Sequence, residues 1–313
     1  MAQNSRGINF GGWLVIEKWI TPSLFTGTSA KDEYSLRKEL GQTKVQKRLQ
    51  NHYKTFIKEE DFEWLSKNNV SFLRIPVGYW IFEDSGIKYL DFAFTQAKKY
   101  NMKILIDLHG AAGSQNGKHH SGKAGNIEWN REQNQAATLK TIEKLAKRYK
   151  NHRSFWGMEL LNEPDRDIPK AELEQFYKTA YRTVRQAAGD ELKIVISDQF
   201  RIFRWINGLG KDYRNVVLDR HLYQIFTGLD KKTTYNHKIL FVKYYWRFLI
   251  WLTQMFTPMI VGEWSAALPK SGPNKNIQYF DTQAEVFKQA KADFYWTYKT
   301  EKNSLWSYRD YNF

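Results

Sequence analysis

The 313-residue chain contains no cysteine, so disulfides and thiolate-held metals are excluded from its fold and its chemistry. That absence suits a reducing compartment. No run of about 18 apolar residues occurs, which leaves no candidate membrane span. Residues 1–12 lack the apolar core of a secretory leader, so the sequence as given reads as a cytoplasmic protein, or as a secreted one whose leader has been removed. Linkers and low-complexity tracts are also missing, and 1–313 is expected to form a single domain. No strand-like run is followed by a glycine-rich phosphate turn, which argues against a doubly wound dinucleotide fold.

Positive charge is plentiful, with a net +15. The lysines and arginines are scattered over helical stretches such as 140–150, without zinc-finger spacing, an RNP-like strand or a basic arm. A generally basic, solvated surface is therefore expected, with no nucleic-acid partner. The 12 tryptophans exceed what packing usually calls for. Most are expected in the core, and the surplus suits flat apolar ligands such as sugar faces.

Short apolar runs alternate with helical periodicity along the whole chain. Strands are expected at 7–14, 70–77, 104–110, 155–162, 193–197, 216–223, 259–263 and 294–298. Helices are expected within 35–68 and over 89–100, 131–149, 171–188, 203–209, 236–255 and 282–292. Eight βα units imply an α/β fold of the (β/α)8 TIM-barrel type. Too few residues follow the last strand for a full helix, so a short turn around Trp306 should close the barrel. The longest irregular stretch, 110–130, follows the third strand, where a barrel of this kind builds its site.

Parallel strands end at one face, so strand-end residues converge whatever their separation in sequence. Those residues are Arg74, His109, Asn162, Glu163, His221, Tyr223, Glu263 and Trp296. Each alone has a plain explanation. Arg74 suits a buried ion pair with Glu159, the histidines suit a satisfied core, and a lone glutamate suits a helix cap. All eight together are poorly explained that way. Glu163 and Glu263, each at the end of an apolar run, match the paired-carboxylate pattern of glycoside chemistry.

The Asn162-Glu163-Pro164 triplet, Leu73-Arg74-Ile75-Pro76, Asp107-Leu108-His109-Gly110, His221-Leu222-Tyr223 and Val261-Gly262-Glu263-Trp264 resemble the retaining (β/α)8 glycosidases of glycoside hydrolase family 5. Further stretches, among them 10–13, 21–25, 75–80, 109–117 and 263–268, are similar to its fungal exo-β-1,3-glucanase branch. The resemblance runs from Gly7 to about Trp306. It implies a hydrolase that releases glucose from non-reducing ends of a β-glucan or β-glucoside oligosaccharide, with no cofactor and no metal. Alternatives are a disaccharide-releasing β-glucosidase of plant glycosides, an endo-glucanase, or a carbohydrate-binding barrel without chemistry.

By the same resemblance Glu163 is the acid/base and Glu263 the nucleophile. Asn162 holds the sugar 2-hydroxyl, Arg74 and Tyr223 flank Glu263, and His109, His221 and Trp296 line the sugar site. An ionised Glu17 binds terminal hydroxyls, Trp129 and Asn130 fall near the pocket, and Phe226 stacks on a pyranose face. Arg74 is expected to keep Glu263 ionised while Glu163 stays protonated. The chain departs from that branch in lacking its secretion signal and cysteines, in being shorter, and in having Arg220 and Leu222 where the fungal motif has histidines.

Overall fold

The computed structural model describes residues 6–268, 273–302 and 304–310. Eight parallel strands close into a barrel in sequence order: β1 (Arg6–Asn9), β2 (Phe72–Gly78), β3 (Lys103–Gly110), β4 (Phe155–Glu159), β5 (Lys193–Ser197), β6 (Val216–Leu222), β7 (Met259–Trp264) and β8 (Asp293–Tyr295). Closure comes from the pairing of Gly7 with Phe294 on β8 and with Phe72 on β2. Gly7 is required there, because a Cβ would stand 2.5 Å from the Phe294 ring.

The strand period of two divides the side chains between two cores. Outward residues such as Leu73, Ile75, Ile104, Ile106, Ile194 and Ile196 are buried against the surrounding helices. Inward residues Phe72, Leu105, Val195, Val217, Ile260 and Phe294 plug the bottom of the barrel as an apolar layer. Above that plug the interior is polar, so the layers themselves decide which end can hold a ligand.

The helices are α1 (Glu33–Phe56), α2 (Glu59–Lys67), α3 (Gly86–Lys99), α4 (Glu132–Tyr149), α5 (Lys170–Ala188), α6 (Gly228–Lys232), α7 (Tyr235–Leu240), α8 (Arg247–Gln254) and α9 (Pro273–Phe287). A π-helical turn over Phe241–Trp246 joins α7 to α8. The N-terminus of α1 is fixed by a reciprocal cap in which the Ser35 amide donates to Asp32 Oδ1 at 2.7 Å.

Several boundaries differ from expectation. The 35–68 stretch is broken twice, by a kink at Gly41, whose backbone leaves the helical region at φ 71°, and by Ile57 and Lys58, which are extended. The first strand stops at Asn9, ahead of the turn at Gly11 and Gly12. Residues 203–209 form a chain of turns closed by Gly208 and Gly210, both at positive φ, where a helix was expected. The 282–292 helix begins at Pro273 and ends at Phe287. After β8 the chain turns at 304–307 and returns, with the Thr297 amide donating to the Trp306 carbonyl and the Tyr308 amide to Thr297. The short closing turn around Trp306 is thus present.

Candidate active site

One arginine sits at the middle of the barrel. Arg74 is fully buried, and its guanidinium donates to Glu159 (2.8 Å), Glu263 (3.1 Å), Asn9 (3.0 Å) and Asn162 (2.8 Å). Asp107 lies 3.1 Å and Asp219 3.9 Å from the same group. The expected Arg74–Glu159 pair therefore exists as part of a larger cluster. With four carboxyls around one arginine, not all can be charged in so dry a place. Burial accordingly raises Glu159 well above the usual carboxylate range and Asp107 to about 7, both against the pull of Arg74.

Glu263 faces inward because β7 is irregular. Val261 pairs with Arg220, but Glu263 pairs with His221, so one extra residue is inserted at Gly262. Without that bulge, alternation from inward Ile260 would turn Glu263 toward the helices. Only glycine suits position 262, since a Cβ would lie 2.0 Å from Asp219 Oδ2. The freed space is filled by the Asp219 carboxylate, which accepts from the Gly262 amide at 2.6 Å.

Glu163 arrives differently. β4 ends at Glu159, and the chain then bends so that Glu163 adopts φ 39°, a left-handed conformation unusual for a side-chain-bearing residue. The long loop after β3 holds that bend. Gln115 donates to the carbonyls of His109 and Asn162, and Asn116 donates to the carbonyl of Glu163 at 3.0 Å.

The outcome is a pair of carboxyls at the mouth. An oxygen of Glu163, an oxygen of Glu263 and a ring nitrogen of His221 all lie within 4.8 Å of one another. Two carboxyls about 5 Å apart suit double displacement at an acetal carbon, whereas the inverting arrangement leaves about 6.5–9.5 Å for a water. Tyr223 donates its hydroxyl to Glu263 Oε2 at 2.9 Å, opposite the contact from Arg74. His109 bonds Asp107 through Nδ1 at 2.7 Å and stacks on Trp296, with ring centroids 5.4 Å apart and planes 8° from parallel. The buried polar atoms of this site without a hydrogen-bond partner include two donors or acceptors on its wall, His109 Nε2 and Asn162 Nδ2, besides Asp107 Oδ1 and Glu159 Oε1 beneath them.

The protonation pattern departs from expectation. Burial raises Glu263 to about 7, despite the lowering influence of His221 and Arg74. Burial also acts to raise Glu163, but the hydrogen bond from His221 and the charge of its imidazolium outweigh it and hold the carboxyl well below its ordinary range. His221 resists burial: the carboxylates of Glu263 and Asp219 push its imidazole well above the usual value. The free site therefore keeps a proton on His221, 2.7 Å from Glu163 Oε1, where the sequence suggested a proton on Glu163 itself.

Glu17 joins this group. It is buried, accepts from Trp19 Nε1 at 2.9 Å, and feels the charges of Glu263 and Glu163. Burial pushes its carboxyl up to about 8, so it is neutral at pH 7, contrary to the ionised group expected. Its neighbour Lys18 turns away to the Ala30 carbonyl.

Phe226 is 65% exposed at the rim and stacks on Trp306 at 5.9 Å and 28°. Trp129 and Asn130 do not join the cluster. Trp129 is fully buried, edge-on to Phe176 of α5 at 4.9 Å, because the Glu128 amide is tied to Gly113 and the loop turns the indole into the helix layer. Asn130 is exposed beyond it. Sequence reasoning missed His120, whose Nε2 lies 3.3 Å from Glu163 Oε2, with burial lowering its imidazole to about 3. The histidine content of the loop was its only signal.

Comparison with known proteins agrees with this geometry. The chain is 32% identical over 375 residues to the glucan 1,3-beta-glucosidase of Schwanniomyces occidentalis, covering 97% of this chain and 85% of that protein. It is 31% identical over 363 residues to a probable glucan 1,3-beta-glucosidase A of Aspergillus niger, covering 99% and 86%. Its fold is shared with the crystal structure of a rutinosidase from Aspergillus niger at a TM-score of 0.83 and 20% identity, over 98% of this chain and 94% of that one. Residues 34–303 match the family model for Cellulase (glycosyl hydrolase family 5), and the chain belongs to that family.

Proposed function

We propose that the protein is a retaining β-glucosidase of the exo-β-1,3-glucanase kind, releasing glucose from non-reducing ends. The observation that carries this reading is the close approach of Glu163 and Glu263 at the mouth of the barrel, within 4.8 Å. The relatives described above as glucan 1,3-beta-glucosidases support the substrate class.

In the first step an oxygen of Glu263 attacks the anomeric carbon and forms a glycosyl ester, while the bond to the leaving oxygen breaks. Arg74 and Tyr223 aim that carboxylate by holding one oxygen each. Glu163 passes a proton to the leaving oxygen, and His221 is the store from which Glu163 is recharged through their 2.7 Å contact. In the second step Glu163 removes a proton from water, which attacks the anomeric carbon, restoring Glu263 and the original configuration.

The rest of the wall recognises the sugar. The unpartnered Asn162 Nδ2 donates to the 2-hydroxyl, and the unpartnered His109 Nε2 accepts from a hydroxyl beside it. Trp296 and Phe226 supply apolar ring faces. Glu17, neutral and buried, both donates to and accepts from hydroxyls of a terminal glucose, closing the pocket behind it.

Product analysis tests the proposal. Laminari-oligosaccharides, gentiobiose and cellobiose are digested and the nascent anomer is followed by NMR. Glucose alone, released as the β-anomer from chain ends of the 1,3-linked series, is the expected product. Oligosaccharide products or an α-anomer would overturn the reading.

A further inference from the structure

The chain between β6 and β7 carries an apolar face that nothing in the described structure covers. Its inward side is conventional: Val242, Trp246, Leu249, Ile250 and Thr253 are buried. Its outward side is apolar as well. Tyr244 is 71% exposed, Phe248 53%, Trp251 55% and Met255 62%, with Phe241 and Tyr245 beside them. At about 150–250 Å² per aromatic side chain, five rings near half exposure present on the order of 500 Å². That is at the upper end of the largest apolar patch on an ordinary monomer, about 300–600 Å².

Charge selects among possible occupants. Between Asp230 and Asp281 the sole acidic residue is Glu263, against seven lysines and arginines. Glu263 is inside the barrel. Lys243 and Arg247 are exposed on the same helical run as the aromatic ridge and line a groove with Tyr244 and Glu285. Glu285 is already paired with Lys288. A second copy would carry the same net charge of +15 and the same Lys243 and Arg247 against this face, which opposes self-association. A polysaccharide would need acceptors for its hydroxyls, and among the described residues the one carboxylate lining the groove is the paired Glu285. An anionic bilayer satisfies both features, because aromatic rings sit at the acyl boundary while lysine and arginine meet the headgroups.

We propose that the outward face of α7, the π-helical turn and α8 docks the protein on an anionic lipid surface. No helix among the described residues is long and apolar enough to cross a membrane, so contact is peripheral. The ridge runs down the side of the barrel, starting where Lys238 of α7 bonds the Gln224 carbonyl beside Tyr223. The mouth stays open to dissolved glucosides while the side of the barrel is occupied.

Co-sedimentation of the full chain with vesicles tests this, comparing phosphatidylglycerol mixed with phosphatidylcholine against phosphatidylcholine alone, at about 0.1 M salt so that headgroup charge is not screened out. The wild type is expected to pellet with the anionic vesicles and to stay in solution with the neutral ones. Two variants, Tyr244→Ser/Phe248→Ser/Trp251→Ser and Lys243→Glu/Arg247→Glu, are each expected to lose at least tenfold in bound fraction while turning over an aryl glucoside normally. Wild type that stays in the supernatant, that pellets equally with neutral vesicles, or that is matched by the serine variant would overturn the proposal. So would a dimer that the serine variant splits, or depletion by insoluble β-1,3-glucan that the same variant abolishes.

Discussion

His221 Nδ1 lies 2.7 Å from Glu163 Oε1, and this contact joins two groups whose proton affinities are displaced in opposite directions. A reaction that needs Glu263 ionised slows as pH falls through about 7, the value to which burial raises that group. A proton must remain on the His221–Glu163 pair, so the basic limb follows the raised imidazole. In His221→Gln the proton must reside on Glu163 alone, and loss of the imidazolium also raises Glu263. The expected result is a pH profile of kcat/KM whose basic limb moves at least about one unit to lower pH, with activity at pH 7 reduced by a decade or more. An unmoved basic limb would show that the proton is not stored on this histidine.

Glu263→Gln keeps the shape of the side chain and removes the attacking charge. Turnover should fall by about three decades or more on every substrate. Glu163→Gln should instead retain formation of the glycosyl-enzyme from activated aryl glucosides, and azide should restore turnover with a β-glycosyl azide as product. Azide giving the α-product with Glu163→Gln, or the β-product with Glu263→Gln, would require the roles to be exchanged.

Glu17 links stability to pH. Its folded carboxyl is raised to about 8, above the unfolded value near 4.5, so its stabilising contribution is complete below about pH 4.5 and is lost as pH rises through 8. Glu17→Gln, which is always neutral, should be more stable than wild type at pH 8 by on the order of 3 kcal/mol, with the gap closing toward pH 5. Denaturant titrations of both proteins at the two pH values measure this. Glu17→Ala should also cost about one to two decades in kcat/KM on an aryl β-glucoside and on laminaribiose. A loss under about twofold on both would remove Glu17 from the sugar site.

Arg74→Met leaves Asp107, Glu159 and Glu263 without their shared cation. A destabilisation of about 3–5 kcal/mol is expected, the magnitude for breaking a buried ion pair from one side. It should lessen at lower pH as those carboxyls take up protons. Thermal unfolding at pH 5 and pH 7 checks both the size and the direction.

Eight strands were legible because each is a short apolar run with a polar residue where it ends, as in Ile104 to His109. The two glutamates were legible for the same reason. What the pattern could not carry was local irregularity. The inserted Gly262 decides where Glu263 points, and nothing in a one-residue bulge marks itself along the sequence. The expected helix at 203–209 is a chain of turns, because Gly208 and Gly210 take positive φ and break any helical run there. The family resemblance puts Trp129 near the pocket, whereas the tie between Glu128 and Gly113 turns its indole into the helix layer. The proton arrangement was out of reach because it depends on a contact between residues 58 positions apart.

The left-handed backbone at Glu163 sets stability against chemistry at a single position. A side chain held there at φ 39° costs on the order of 1–3 kcal/mol, and glycine would relieve it. The same replacement removes the carboxyl on which the proposed proton transfers depend. The glycine would also leave the His221 imidazolium without its 2.7 Å partner, a loss that offsets the relieved strain. A library screened for heat resistance should therefore gain little from glycine at 163, and one screened for turnover should never contain it.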